Sequence, residues 1–250
     1  MAKQAGIFQT RGSIGNVTFR ETIHGFQVGM KSSLDKSKMA GNPRFDATRE
    51  ANNDFRAAAK GAKLVVDAMS LATRLVNTTM TFPRLQRTTR SVVSSDTVHR
   101  RGQKTKADGN MMLMKDFDFN DKAPLGNVVS VEFTTSIDRV TGAFDVNFPE
   151  FTPKGSLKYN PEEVSHYQLV VCGSILDFVT NQYTRVLTES TILPVAEVSE
   201  ALTLEGTLTA ASQDPIFLGV GIRFFKQDGT HFNTLTGASA NAFKLVEIDF

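Results

Sequence analysis

Tryptophan is absent from the 250 residues, tyrosine occurs three times and cysteine once, against 19 phenylalanines. A single cysteine excludes an intrachain disulfide and a cysteine-built metal cluster. It closes the apolar run Leu169-Val170-Val171-Cys172, which predicts a buried, inert thiol rather than a nucleophile. Phenylalanine supplies apolar bulk without a hydrogen-bonding handle, so most of these rings are expected in a core or a dry interface. The same scarcity of Trp and Tyr argues against sugar stacking. No stretch approaches the ~20 apolar residues of a helical membrane span. Met1-Ala2-Lys3-Gln4-Ala5-Gly6 has no apolar signal core. The expectation is therefore synthesis in the cytoplasm without a signal peptide. An extracellular or particle-bound location would be reached only through lysis or leaderless export.

Catalytic signatures are missing as well. There is no G-x-S-x-G elbow, phosphate-cradling glycine loop or dinucleotide fingerprint. His24, His99, His166 and His231 form no local metal-ligand pair. Asp116, Asp118 and Asp121 resemble a calcium loop but lack its glycine and closing glutamate. Gly219-Val220-Gly221 lies inside a strand pattern, where close packing is the better reading. The expectation is a protein that is not an enzyme, with no catalytic, cofactor-binding or metal residues and no cofactor.

What is present is asymmetry. Residues 1–122 carry 21 Lys/Arg against 11 Asp/Glu, and residues 123–250 carry 7 against 15. The net +2 of the whole chain thus conceals a front half at +10 and a back half at −8. Opposed halves favour correct encounter and register between partners. The densest positive run is Arg100-Arg101-Gly102-Gln103-Lys104-Thr105-Lys106. It contains no aromatic platform on which single-stranded nucleic acid could stack. A solvated loop is the plainer reading of such a run.

The periodicity also divides the chain. Ile14, Val17, Phe19, Ile23, Phe26 and Val28 alternate with polar residues around His24-Gly25, which predicts a β-hairpin over 12–30. A hairpin alone is marginal in water and needs a partner surface. Residues 31–42 read as a polar, basic linker. Asn42-Pro43 is a helix start, and a three-and-four spacing runs from Phe45 to Met80 with a bend expected at Gly61. Pro83 opens a weaker helix over 84–99. Beyond residue 123 the period falls to two: strands are expected over 129–133, 144–148, 167–178, 183–188, 202–208, 216–225, 232–235 and 243–250. Asp228-Gly229 joins the sixth and seventh of these as a hairpin. The last strand is expected to place the chain end in a sheet or an interface.

Several motifs recur in a known group. They are Gly12-Ser13-Ile14-Gly15-Asn16-Val17-Thr18-Phe19, Asn42-Pro43-Arg44-Phe45, Thr48-Arg49-Glu50-Ala51-Asn52 with Phe55, Arg101-Gly102-Gln103-Lys104, and Phe117-Asp118-Phe119-Asn120. In them the front half resembles an uncharacterised conserved Bacteroidota protein family with a variable C-terminal β domain. The resemblance implies that layout and carries no function with it.

These readings lead to an α+β fold: an N-terminal β-hairpin and a helical hairpin followed by an antiparallel β-sandwich. The expected divisions are a hairpin arm and linker over 1–42, a basic helical region over 43–122 and an acidic sandwich over 123–250. The functional expectation is a structural protein that self-assembles as a homo-oligomer into a filament, tube, ring or virion-like particle. Its assembly residues would be Ile14, Val17, Phe19, Phe26 and Val28 on the arm, Arg49, Arg56, Arg100 and Arg101 on basic faces, and Phe250 at the chain end. The alternatives are a nucleic-acid-associated protein using the basic front half and a ligand-binding β-sandwich.

Overall fold

The structure is a computed structural model and describes residues 2–3, 10–31, 36–74, 76, 78–235 and 241–250. The chain forms two compact units, Met1–Arg49 and Glu50–Phe250. Among the described residues no helix is long and apolar enough to cross a membrane.

The first unit is built on a four-stranded antiparallel sheet. Its strands are β1 (Ala2–Lys3), β2 (Gly12–Ile14), β3 (Val17–Thr22) and β4 (Gly25–Met30), in the order β1-β4-β3-β2. The expected hairpin over 12–30 is thus a three-stranded meander, because Gly15 turns the chain once more before His24-Gly25 does. Both turn glycines take positive φ, +56° and +94°, a region open to Gly without steric cost. Residues 32–35 of the expected linker lie outside the described residues, and α1 (Lys36–Gly41) follows them. Asn42 then accepts a bond from the Arg44 N–H at 3.0 Å and starts a 3-10 turn over Pro43–Phe45. That turn leads into α2 (Asp46–Ala68).

The helical spacing ends earlier than Met80. After α2 comes one short turn, α3 (Ser70–Thr73), and the chain then leaves the helical path. Two arginines from distant strands occupy the carbonyls at this end. Arg185 donates to the carbonyls of Asp67 (2.7 Å) and Ala68 (3.3 Å) and to Ser70 Oγ (2.7 Å). Arg223 donates to the carbonyls of Leu71 (2.8 Å) and Ala72 (3.3 Å). Carbonyls at a helix C-terminus lack intrahelical partners, and a guanidinium satisfies them. The second helix, α4 (Thr81–Ser95), carries Pro83 in its first turn, where no N–H is required. Gly61 lies inside the unbroken span of α2. A Cβ there would lie 2.8 Å from Thr89 Cγ2 and 2.9 Å from Lys106 Cδ, so glycine lets α4 and the Lys106 stem approach α2.

Past a 3-10 turn at Met111–Met114 and a single turn α5 (Leu125–Val128), the chain is mostly strand. A three-stranded sheet is formed by β5 (Thr134–Asp138), β6 (Ala143–Phe148) and β10 (Leu202–Thr207), with β6 central. The single turn α6 (Pro153–Ser156) leads towards the larger sheet. Its long strands are β7 (His166–Asp177) and β11 (Ile216–Asp228), paired from Phe225↔His166 to Ile216↔Ile175. On the far side of β7 lie β8 (Gln182–Glu189) and β9 (Leu193–Pro194). On the far side of β11 lie β12 (His231–Thr234) and β13 (Ala242–Asp249). One expected strand differs. Val129 makes only an isolated bridge to Leu157, and the ladder begins at Thr134. Pro149 follows β6 and cannot donate to extend the ladder. The alternation persists nonetheless, and Phe133 packs against Phe148 with ring centres 5.2 Å apart.

The large sheet is buried on both faces. Tyr167, Leu169, Val171 and Ile175 of β7, with Ile216, Leu218, Val220, Ile222 and Phe224 of β11, face Phe144, Val146, Phe148 and Leu204 of the small sheet. The residues between them, Val170, Cys172, Leu176 and Phe217, face Ala62, Val65, Ala68 and Met69 of the helical segment and Leu85 and Val92 of α4. A strand covered on both sides reads as a continuous apolar run, which is what 167–178 and 216–225 show. The fold is therefore α+β, with an antiparallel sandwich whose outer face carries helices. The change of period near residue 123 falls inside this second unit. Cys172 is free and buried, and burial pushes its thiol up to about 11.

Candidate functional site

In the first unit the register decides which side chains share a face. Ile14 lies opposite Val17, Val17 opposite Met30, Phe19 opposite Val28, and Glu21 opposite Phe26. Paired residues project to the same side of a sheet. Ile14, Val17, Phe19, Phe26, Val28 and Met30 therefore share one largely apolar face, whose one acidic member, Glu21, pairs with Arg11 over the Phe26 ring. Ser13, Thr18, Arg20, Thr22 and Gln27 form the polar one. Among the residues of 10–49 whose exposure is described, none is buried. Ile14 is 66 % exposed and Met30 81 %. The five arm residues singled out from the sequence thus converge on one surface. Arg49 does not present its charge in isolation. It pairs with Asp46 and donates to the carbonyls of Met39 (2.5 Å) and Asn42 (3.0 Å), fastening α1 to the start of α2.

In the second unit the basic run 100–106 is a folded loop organised around Asp96. The Asp96 carboxylate is buried and accepts from the N–H groups of Val98 (2.8 Å), His99 (3.1 Å) and Thr105 (2.8 Å) and from His99 Nδ1 (2.9 Å). Burial alone would raise this carboxyl, but the surrounding donors outweigh it and hold the group well below the usual carboxylate range. Asp96, His99 and Asp108 lie close enough together to suggest a metal site. Both Asp96 oxygens already serve N–H donors, so the cluster acts as an anchor for the loop. A group with a depressed folded pKa stabilises the fold fully above its ordinary value of 3.8, and that stabilisation is lost as pH falls towards the folded value. In Asp96→Asn, the amide N–H₂ faces the N–H of Thr105, and urea midpoints should fall below wild type at pH 6. Below about pH 4 the gap should narrow. A gap independent of pH would contradict this role.

The loop sends its charges in different directions. Lys104 Nζ donates to the carbonyls of Ser94 and Asp96, both at 2.7 Å, and closes the C-terminus of α4. The Gly102 N–H donates to Asp54 at 2.9 Å and ties the loop to α2. Arg100 is exposed, and Arg101 lines a shallow depression with Asp54, Arg90 and Lys104. Lys106 turns inward. It is 8 % exposed, and its Nζ donates to Asn181 Oδ1 at 2.9 Å.

Lys106 and Arg56 meet at a cleft of about 460 Å³. Asn53, Arg56 and Lys60 reach it from one face of α2, Lys106 from the loop, and Phe178 and Asn181 from the turn after β7. The i, i+4 spacing of Arg56 and Lys60 stacks two like charges on that face. Burial holds the Lys106 ammonium below its ordinary value of 10.5, Lys60 adds to the effect, and Asp177 opposes it. Sequence reasoning missed Lys60, Lys106 and Asn181, since only the fold joins 56–60, 106 and 178–181. The i, i+4 pair Arg56/Lys60 was the one local signal.

Phe250 is 65 % exposed and lines a separate depression with Phe178 and Pro215. The chain end enters a sheet through β13, but the last side chain stays outside. Asp116, Asp118 and Asp121 each have a different partner: Asp116 pairs with Lys244, Asp118 accepts from the Leu125 N–H, and Asp121 accepts from Thr78 Oγ1. Comparison with family models, with curated proteins and with solved structures found no match.

Proposed function

We propose that this chain is a non-enzymatic structural protein that assembles with copies of itself through its N-terminal sheet. One observation carries the reading. The sheet is amphipathic, and its apolar face of Ile14, Val17, Phe19, Phe26, Val28 and Met30 belongs to a unit without a buried residue among those described. Ordering a chain costs about 1–2 kcal/mol per residue, and a small sheet recovers that only by burying its apolar side. The corresponding face of a second copy supplies a surface of matching character, and β2 offers an edge for strand addition. Pairing of the same face in two copies closes as a dimer, whereas head-to-tail addition at the β2 edge gives a ring if it closes and a filament or tube if it does not.

Light scattering on eluting full-length protein, with negative-stain images of the same fractions, tests the proposal. The wild-type chain should form multimers as its concentration rises. Phe19→Glu with Val28→Glu should raise the concentration needed by about 100-fold or more, since two apolar side chains in a contact contribute about 1.5–3 kcal/mol each. A strictly monomeric wild type at high concentration and low salt would sink the idea.

A further inference from the structure

We propose that the cleft between α2, the 100–106 loop and the turn after β7 is a binding site for a phosphorylated small molecule. This site lies within the second unit and does not depend on the assembly reading. Its volume of about 460 Å³ is within the range of small-molecule pockets. Arg56, Lys60, Lys104 and Lys106 bring four cations to its lining, of which Lys104 serves the carbonyls of Ser94 and Asp96, and Phe178 gives it an apolar wall.

Two carboxylates bear on the cleft, Asp108 in its lining and Asp177 through its charge on Lys106, and neutral groups engage each of them. Among the described residues no carboxylate hydrogen-bonds to Lys106. Asp54 accepts from the Gly102 N–H and Asp108 from Thr105 Oγ1. Asp177 accepts from Val179 and Thr180. A lysine that is 8 % exposed is rarely tolerated without an anionic partner. Lys106 has three donors, and its hydrogen bond goes to the neutral amide of Asn181. Gly61 makes this position possible by leaving room for the lysine stem. Phosphate oxygens would meet the remaining Lys106 donors and the like-charged pair Arg56/Lys60 together, offsetting both the desolvation and the repulsion.

The probe is pyrophosphate, titrated calorimetrically into the full-length chain at ionic strength matched with sodium chloride. Saturable binding is expected. Lys106→Met keeps the stem beside Gly61 and removes the charge, and it should weaken binding by about 10–100-fold, as expected for a lost charge-assisted hydrogen bond. Arg56→Ala with Lys60→Ala, both at exposed positions, should weaken it similarly and guards against a folding defect in the first variant. Lys63→Met removes a neighbouring cation that pairs with Asp67 outside the cleft, and it should bind as wild type. Absence of binding to the wild type, or equal binding by wild type and Lys106→Met, would overturn the proposal.

Discussion

Phe243→Ala is expected to cost about 3–5 kcal/mol of unfolding free energy, read from urea denaturation of the full chain. The ring is 1 % exposed and meets the Phe119 ring edge-on with centres 5.4 Å apart. Its seat is a hollow in β11. A Cβ on Gly219 would stand 2.3 Å from Phe243 Cζ, and one on Gly221 would stand 2.6 Å from Phe243 Cδ2. The two glycines and the ring are therefore one packing device that joins β13 to the helical face of the sheet. Removing the ring leaves a cavity that two residues without side chains cannot collapse to fill. Gly219→Ala should itself be destabilising in the wild type and much less so beside Phe243→Leu, because the two positions share one volume. A loss below about 1 kcal/mol for Phe243→Ala would show that the hollow collapses. A loss of the expected size takes about a fifth or more of a typical domain's stability of about 5–15 kcal/mol.

This device also marks how far the sequence was legible. Gly219-Val220-Gly221 could be read as packing glycines, because a glycine inside a strand has few other uses. Phe243 could not be named as their partner, since 24 residues separate it from Gly219. The same holds elsewhere. Strand periodicity identified β6, β7, β8, β10, β11, β12 and β13 nearly to their ends, because alternation is a local property. The third layer was not legible. Nothing local in 167–178 says that Val170 and Cys172 meet α2 while Leu169 and Val171 meet the small sheet. The end of the long helix is not legible locally for a related reason. Arg185 and Arg223 satisfy its last carbonyls from more than 100 residues away, and the local spacing continues past that point. The arm face was legible because Phe19 and Val28 pair across one turn. The cleft was not, because its cations come from segments 50 residues apart.

The charge division takes on a different meaning in the folded chain. All three arginines beyond residue 122 are engaged inside the second unit. Arg139 holds Asp249 and the carbonyls of Ser212 and Asp214, as Arg185 and Arg223 hold helix carbonyls. Among the front-half cations, Lys104 and Lys106 turn to a helix end and a cleft. Lys115 pairs with Glu247 at 3.1 Å across the division. The contrast of +10 against −8 is therefore only partly a contrast of two surfaces. Much of the basic loop is architecture, and the acidic half has already spent its guanidinium groups on the interior.

Arg185→Met should test that architecture directly. Methionine keeps much of the apolar stem and removes the donor that serves the carbonyls of Asp67 and Ala68 and the Ser70 hydroxyl. A hydrogen bond from a charged donor contributes about 1.5–3 kcal/mol, and a carbonyl left without a partner costs about 1–3 kcal/mol. A total loss of about 2–4 kcal/mol is expected in denaturant titrations. The effect should also be local in a way that a simple core defect is not. Amide hydrogen exchange should speed up over the end of α2 and over α3, while the β7 and β11 amides stay protected. Arg223→Met should act on the same segment through Leu71 and Ala72. Because both arginines fasten one short element, the second substitution should cost less once the first has been made. Strict additivity of the pair, or exchange unchanged around residues 65–73, would mean that the helix stops for reasons within its own sequence.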